Sequence, residues 1–273
     1  MKPLKTFSIT PTHYLALLLF FLISIPVAPP CFSQYIEINR TDGTQLKLLT
    51  STIDSIKLVS TTAGTVTDID GNVYSTITIG TQVWMKENLK VTKYRNGDAI
   101  ATTTSTSIPN DSTSKYQWAY NNDNNNAATY GRLYTWYAIT DSRNVCPAGW
   151  HVPSDAEWCT LENFVEVNTD PTCNLTGGRG TNTGGKLKEA GTSHWSSPNS
   201  GADNSSGFTA LPGGYRLAAD GSFGYLGDYG LWWSATEGDA TLAWYRDLGY
   251  DYAVAYRYND TKSLGFSVRC VRD

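Results

Sequence analysis

The sequence is poor in histidine, methionine and charged side chains. It has 3 His and 2 Met, only 17% of its residues are charged, and the net charge is -4. The positive field that nucleic-acid-binding proteins use is therefore missing, and we expect no nucleic-acid partner. Residues 34–273 hold only His151 and His194, without the spacing of a zinc site. We expect both to be structural, hydrogen-bonded histidines.

Motifs of covalent catalysis are missing as well. No serine lies in a Gly-x-Ser-x-Gly elbow. Paired carboxylates can still converge from distant segments, and the most motif-like surroundings are those of Glu87, Glu157, Asp203 and Glu237. Glu157 already has a helix-capping role, which weakens it as a catalyst. We expect a non-catalytic protein and keep an extracellular enzyme as the alternative.

A single apolar stretch lies near the beginning of the chain, and no later segment is apolar enough to span a membrane. Lys2 and Lys5 precede the stretch from Tyr14 to Val27, and a small residue, Ser33, follows it. This order is typical of a secretory signal peptide. The stretch has about 14 residues, whereas a membrane-spanning helix needs roughly 20. We therefore predict a signal peptide over residues 1–33 rather than a membrane anchor.

Cysteine usage also indicates export. Cys31 raises the alternative of a lipoprotein, but Pro29 and Pro30 stand where a small residue is expected, so we favour a secreted or cell-surface protein cleaved after Ser33. The cysteines that remain are Cys146, Cys159, Cys173 and Cys270. An even number of cysteines in an exported chain predicts disulfides, and three pairings are open.

Aromatic residues and glycine are abundant, with 9 Trp, 17 Tyr and 24 Gly, which favours a loop-rich α+β domain. Residues 34–60 are predicted to form a small β unit, because alternating segments flank the turn dipeptide Asp42-Gly43. Residues 61–65 are a predicted linker, and residues 66–273 form the main domain.

The main domain has two predicted helices. Ser154 and Glu157 form a capping box, and an apolar stripe follows at Trp158, Leu161, Phe164 and Val165. The other predicted helix lies near residues 131–140. We expect a hairpin turn at residues 68–72, then a strand with Val73, Ile77 and Ile79 on one face, and a loop at residues 121–126.

Two segments are dense in oxygen ligands of the kind that calcium prefers. Asp123 and Asn125 lie in one, and Asp203 and Asn204 in the other. Asp and Asn also favour turns for local reasons. A calcium cofactor is a possible use of these residues, and turn formation is the alternative.

Aromatic side chains supply the candidate ligand-binding residues. Trp232 and Trp233 are neighbours on a predicted strand and must point to opposite faces, so we expect one to be exposed or to line a cleft. Tyr245 and Tyr250 belong to a late segment crowded with tyrosines. Such rings can stack on sugars, and the alternative is that they fill the core.

Several blocks of sequence resemble the Fibrobacter succinogenes major paralogous domain family. The blocks are Gly80 to Leu89, Tyr130 to Ala138, Cys146 to Trp158, Gly207 to Arg216, Trp232 to Ser234 and Gly265 to Cys270, in the family's order. The segment before them resembles, less closely, one found in exported Bacteroidota proteins. The domain is more distantly similar to the sulfatase-modifying, formylglycine-generating group.

That distant similarity implies a C-type-lectin-like fold with two helices, short twisted antiparallel sheets and long loops. It places the second-helix region beside the last strand, which favours Cys146–Cys270 and leaves Cys159–Cys173 as a local pair. The similarity also raises the alternative of a copper or thiol oxidase. Such a site needs two nearby reactive cysteines, and Cys270 has no second cysteine close to it in sequence.

Three hypotheses of function follow. The first is an exported, non-catalytic binding module that recognises a glycan or a surface protein. The second is an enzyme acting on extracellular polysaccharide or protein. The third is a structural subunit of a cell-surface assembly, docked through the small β unit. The resemblance implies no defined biochemical role.

Overall fold

The computed structural model describes residues 35–39, 45–49, 64–109 and 113–273. The predicted signal peptide, residues 1–33, lies outside the described residues. The chain divides into two compact units, Met1–Val59 and Ser60–Asp273. In the first unit, β1 (Tyr35–Asn39) and β2 (Gln45–Leu49) form an antiparallel pair.

Short strands make up most of the regular structure in the second unit. In chain order they are β3 (Thr65–Thr67), β4 (Val73–Ile79), β5 (Gln82–Met85), β6 (Gln117–Ala119), β7 (Arg132–Tyr134), β8 (Trp150–His151), β9 (Gly177–Arg179), β10 (Gly213–Arg216), β11 (Phe223–Leu226), β12 (Tyr229–Glu237), β13 (Leu242–Gly249), β14 (Ala255–Thr261) and β15 (Val271–Arg272). The helices are α1 (Asn124–Tyr130), α2 (Trp136–Ile139), α3 (Asp155–Val165) and α4 (Thr183–Leu187), and Tyr120–Asn122 forms a 3-10 turn.

The strands of this unit form two larger sheets and a short pair. The larger sheet has the order β11-β10-β12-β13-β14-β9, and the other has the order β3-β4-β5-β15-β8. β6 pairs with β7. The pairings are antiparallel except for β10 with β12, which run parallel at Gly214 and Gly230. The predicted α+β class is confirmed, and the C-type-lectin-like assignment stays a prediction.

Helix α3 begins where the capping box predicts. The Ser154 hydroxyl accepts from the Glu157 amide, and the Glu157 carboxylate accepts from the Ser154 amide at 2.7 Å. These contacts satisfy backbone donors that have no partner within the helix. Trp158 and Leu161 are buried, whereas Phe164 is 60% exposed. Val165, the last residue of the stripe, packs against the core, so Phe164 is the one member of the stripe that is exposed.

Elsewhere the local predictions were partly wrong. The segment 121–126, expected to be a loop, contributes to the 3-10 turn and to α1, where Asp123 supplies the N-cap. Only Trp136–Ile139 of the helix expected near residues 131–140 is helical, because Arg132–Tyr134 pairs with β6 instead. Val73 is 59% exposed, and Thr65, expected in the linker, begins β3.

Two apolar clusters form the core, and β12 runs between them. Trp233 belongs to a cluster with Tyr245 and Phe266, and Trp232 to a cluster with Trp84 and Trp158. Both Trp232 and Trp233 have 0% exposure, so the expectation that one would be exposed is wrong. The side chains do point to opposite faces of the strand, but both faces are covered.

Two disulfides link distant and local parts of the fold. Cys146 bonds to Cys270 with a Cα–Cα distance of 6.1 Å, and Cys159 bonds to Cys173 with one of 5.7 Å. These pairs are the ones that the fold resemblance favoured. None of the four sulfurs is a free thiolate in this structure, as the alternative oxidase site would need.

Candidate functional site

The predicted calcium ligands are engaged in local hydrogen bonds. The Asp123 carboxylate accepts from the Asn125 amide at 2.9 Å, and the Asp203 carboxylate accepts from the Ser205 amide at 2.8 Å. The Asn204 side chain contacts Thr209 through both its oxygen and its nitrogen. Within the described ranges, no three His, Cys, Asp or Glu side chains are grouped as metal ligands. Turn formation therefore accounts for the contacts at both segments, and calcium stays a prediction.

The two histidines each contact carboxylates. His151 Nδ1 lies 2.6 Å from Asp273 Oδ1, and Nε2 lies 2.7 Å from Glu157 Oε1. His194 Nδ1 lies 2.8 Å from Glu189 Oε2. Burial lowers the pKa of His151, but the hydrogen bonds with Asp273 and Glu157 outweigh it and raise that pKa above its ordinary value. Both histidines are hydrogen-bonded, as expected.

The carboxylates singled out from sequence also have partners in the fold. Glu87 accepts from the Ser75 amide at 2.8 Å, and Glu237 pairs with Lys262. Glu157 caps α3 and contacts His151. These contacts give each of the three a role in holding the fold.

A buried charge cluster joins α3 to one face of the larger sheet. Glu162, 1% exposed, accepts from Arg179 at 2.6 Å and from Arg246 at 2.5 Å. Asp155 accepts from Arg246 and Arg257, and these contacts lower its pKa although burial opposes them. Each charge in the cluster has a partner of opposite sign, and these contacts fix α3 against this face of the sheet.

The other face of the same sheet carries a row of tyrosines. On β13, Tyr245 and Asp247 alternate with Arg246 and therefore point away from α3. Tyr258 pairs across strands with Tyr245, and Tyr256 pairs with Asp247. Directly opposed residues on neighbouring strands share a face, so these side chains lie together.

Six tyrosines form a continuous series of ring contacts, which we call the tyrosine ribbon. Its neighbouring ring centroids are 4.8 to 6.1 Å apart, and its members in order are Tyr215, Tyr225, Tyr229, Tyr252, Tyr256 and Tyr258. Tyr225 is 50% exposed and Tyr258 is 37% exposed, while the other four are half-buried. Tyr256 and Tyr258 stack in parallel, with an interplanar angle of 11°. The ribbon thus combines packed rings with rings that solvent reaches.

Backbone features bring these rings together. Tyr225 has φ of 60°, a left-handed conformation that is uncommon for a large side chain. It contacts Tyr215 on one side and Tyr229 on the other. A Cβ at Gly249 would lie 2.4 Å from the Tyr252 ring and 2.8 Å from that of Tyr229. Glycine is therefore required where the two rings close over the strand.

Lys188 fixes the segment that carries Tyr252. The side chain is fully buried, and its ammonium donates to three backbone carbonyls, those of Gly249, Tyr252 and Ser200, at 2.7 to 3.0 Å. Burial lowers the pKa of Lys188 to about 8, although the Asp251 carboxylate raises it. The turn between β13 and β14 is therefore tied to the region just after α4.

A half-buried carboxylate lies among the tyrosines. Burial raises the pKa of Asp247 to about 6; the Tyr252 hydroxyl opposes this rise and the Asp251 carboxylate adds to it. No lysine, arginine or histidine within the described ranges forms an ion pair with Asp247. A partly buried carboxylate therefore lies among the rings without a salt-bridge partner in the described part of the chain.

The structure places some of the predicted ligand-binding residues in the core and one beside the ribbon. Trp232 and Trp233 lie in the core, and Tyr245, 9% exposed, lies at its edge, 6.3 Å from Tyr258. Tyr250 is half-buried and lies 6.2 Å from Tyr229, beside the ribbon. The crowding of tyrosines after residue 245 indicated one half of this surface. Nothing in the sequence assigned Tyr215, Tyr225 and Tyr229 to it.

Comparison with known proteins gives one match. The sequence model of a family described as the Fibrobacter succinogenes major domain matches residues 77–272, more than half of the chain. No curated protein and no solved structure matches. The matched range includes all six tyrosines of the ribbon and all four cysteines of the disulfides.

Proposed function

This chain belongs to the Fibrobacter succinogenes major domain family, and we propose that it is an exported, non-catalytic binding module that holds a glycan on its tyrosine ribbon. The observation that carries the proposal is the ribbon itself, with two solvent-accessible rings on a supported sheet. Tyrosine offers an apolar ring to the apolar side of a sugar and a hydroxyl to its polar edge. A surface protein is the other ligand class to test.

Rigidity supports a binding role for this surface. Buried arginine–carboxylate pairs hold one face of the sheet, and Lys188 holds the turn before Tyr252. A surface held in place before binding loses little conformational entropy when a ligand arrives. The ribbon can therefore bind through ring contacts without a deep cavity.

Ligand screening with matched variants tests the proposal. The purified protein is screened on a glycan array and in pull-downs from cell-surface extracts, each with and without calcium. We expect glycan binding that weakens at least about fivefold in Tyr225→Ala and in Tyr258→Ala, the range of a strongly contributing interface side chain. Phe164→Ala, at an aromatic residue that is 60% exposed on α3, is the control and should bind normally.

Four outcomes would count against this assignment. Absence of glycan binding under all conditions would reject the glycan ligand, and pull-down of a protein dependent on Tyr225 and Tyr258 would replace it. Turnover of a polysaccharide that is lost in a Glu or Asp variant would establish the enzyme hypothesis instead. Exclusive recovery of the chain in an envelope assembly would favour the structural-subunit hypothesis.

Export is part of the same proposal. The order of basic, apolar and small residues in residues 1–33 supports it, and so do the two disulfides, which persist in oxidising compartments. Expression of the full chain, followed by fractionation and N-terminal sequencing, should recover a protein that begins at Gln34 outside the cytoplasm. Lipid attachment that is lost in Cys31→Ser would show the lipoprotein alternative.

A further inference from the structure

The charged groups that act on the tyrosine ribbon are carboxylates. Burial raises the pKa of Tyr229, of Tyr252 and of Tyr258, and the negative charge of Asp247 adds to each rise. Burial likewise raises the pKa of Tyr215, and neighbouring tyrosines and Asp220 add to it. The largest electrostatic contributions to these four shifts come from carboxylates and neighbouring tyrosines. The electrostatic environment of the ribbon is therefore negative.

The ammonium of Lys188, which supports the turn that carries Tyr252, is buried and not available to a ligand. The Lys188 side chain has 0% exposure, and its ammonium donates to the carbonyls of Gly249, Tyr252 and Ser200 beneath the turn. Asp251, next to Tyr252, is exposed. A ligand on the ribbon would therefore meet tyrosine rings and the exposed Asp251 carboxylate, with Asp247 partly buried among the rings, rather than ammonium or guanidinium groups.

The negative charge and the tyrosine hydroxyls of the ribbon favour uncharged glycans over anionic ones. Proteins bind carboxylate and sulfate groups chiefly through arginine and lysine, which supply charge-assisted hydrogen bonds. Like charges brought together at an interface oppose binding. Sugar hydroxyls are hydrogen-bond donors, and ionised carboxylates are acceptors only, so an uncharged glycan finds matching partners on this surface.

We propose that the tyrosine ribbon selects uncharged glycan chains and excludes uronate-containing and sulfated ones, with Asp247 and Asp251 as the residues that set this specificity. The inference rests on the proposed glycan-binding function. To that function it adds that the glycan is uncharged and that the two aspartates disfavour anionic glycans.

A basic polypeptide is the occupant that competes with an uncharged glycan, since lysine and arginine also bind tyrosine faces and carboxylates. The two differ in their response to salt, because salt screens exposed ion pairs and has little effect on stacking. We expect the affinity for an uncharged glycan to change by less than about twofold between about 0.05 M and about 0.5 M NaCl. Binding of a protein that is abolished over this range would assign the surface to a basic partner and overturn the inference.

Affinity electrophoresis with soluble polysaccharides gives the direct test. The uncharged probes are mixed-linkage β-glucan, galactomannan and arabinoxylan, and the anionic probes are polygalacturonate and heparin. We expect at least one uncharged probe to be bound at least about tenfold more tightly than either anionic probe, because repulsion near the ribbon opposes the latter. Retardation by an anionic probe equal to or greater than that by every uncharged one would overturn the inference.

Charge reversal tests the specificity role separately from folding. Asp251 is exposed, so Asp251→Lys should fold, and it should bind polygalacturonate up to about fivefold more tightly than the natural chain, the scale of an exposed charge pair. Asp98→Lys makes the same change of charge at an exposed residue that pairs with Arg143 and should leave the affinity unchanged. An equal gain in both variants would show a net-charge effect and reject the role of Asp251.

Failure of the inference can be distinguished from failure of the proposed function. If no polysaccharide of either class binds, the glycan-binding function fails and the inference fails with it. If an anionic polysaccharide binds in a manner that depends on Tyr225 and Tyr258, the function stands and only the selection of uncharged chains is rejected.

Discussion

At the scale of single residues, His151 shows how one side chain can set a pH response. It lies between Glu157 at the start of α3 and Asp273, within 2.7 Å of both carboxylates. Those contacts raise its pKa despite burial. The folded state holds the proton more tightly than the unfolded state. The stability that His151 contributes is therefore fully present below its ordinary pKa and is lost as pH rises through the raised pKa.

We therefore predict that the thermal stability of the natural chain falls as pH rises from about 6 through the raised pKa of His151, by an amount that His151→Gln removes. Melting temperatures measured over this range in both proteins check the prediction. His194→Gln, which alters the other histidine, is the control. Identical pH profiles for the natural chain and His151→Gln would show that the protonated ring contributes no stability.

Glu162 is the residue on which the buried charge cluster depends most directly. It contacts both Arg179 and Arg246 and is 1% exposed. Glu162→Leu would leave two guanidinium groups with fewer partners in the interior, and we expect a loss of about 3–5 kcal/mol in the free energy of unfolding. Urea denaturation measures it. Lys115→Ala, which removes an exposed partner of Asp141, should cost less than about 1 kcal/mol.

At the scale of the element, the capping box makes α3 the most predictable helix of the chain. We expect Ser154→Ala to lower the free energy of unfolding by about 1 kcal/mol, because a backbone amide at the start of the helix loses its partner. Thr160→Ala, at an exposed residue of the same helix, should change it by less than about 0.5 kcal/mol. Equal losses in the two variants would show that the cap contributes nothing specific.

Elements that depend on local contacts could be predicted from the sequence, whereas elements that depend on pairing with distant residues could not. Ser154, Glu157 and the apolar residues after them are sufficient to predict α3, since every relevant contact lies within one or two turns. Arg132–Tyr134 has helical neighbours but pairs with β6, and the paired residues are 13 to 17 positions apart in the chain, which no local pattern encodes. Tertiary pairing overrides weak intrinsic preference in such short segments.

The same distinction applies to the candidate site. Tyr256 and Tyr258 are two residues apart on one strand, so their shared face follows from strand geometry. Tyr215 and Tyr229 approach through Tyr225, whose left-handed backbone places its ring between them. Neither that conformation nor the parallel pairing of β10 with β12 can be predicted from the residues around them. The sequence could therefore indicate only the later half of the ribbon.

At the scale of the whole molecule, the two disulfides should differ in their contribution to stability. Cys146 and Cys270 are 124 residues apart, whereas Cys159 and Cys173 are 14 apart. A cross-link that closes a longer loop removes more conformational entropy from the unfolded chain. We expect replacement of the first pair by alanine to cost roughly 4–5 kcal/mol and replacement of the second roughly 3 kcal/mol.

Denaturant titration of the two double variants under non-reducing conditions measures this difference. Each variant removes one bond and leaves the other in place, so each serves as the control for the other. Equal losses would show that native-state packing around the sulfurs, rather than loop closure, determines the contribution of each bond.

The position of β15 in its sheet has a consequence for how the protein is made. Val271 pairs with Trp84 on β5 and with His151 on β8, so a late strand separates two early ones. During synthesis, β5 and β8 leave the ribosome long before the strand that joins them. Pairings between residues so distant in the chain form slowly. A nascent chain that ends before β15 therefore cannot complete this sheet, and the sheet reaches its final pairing only after the last residues have been synthesised.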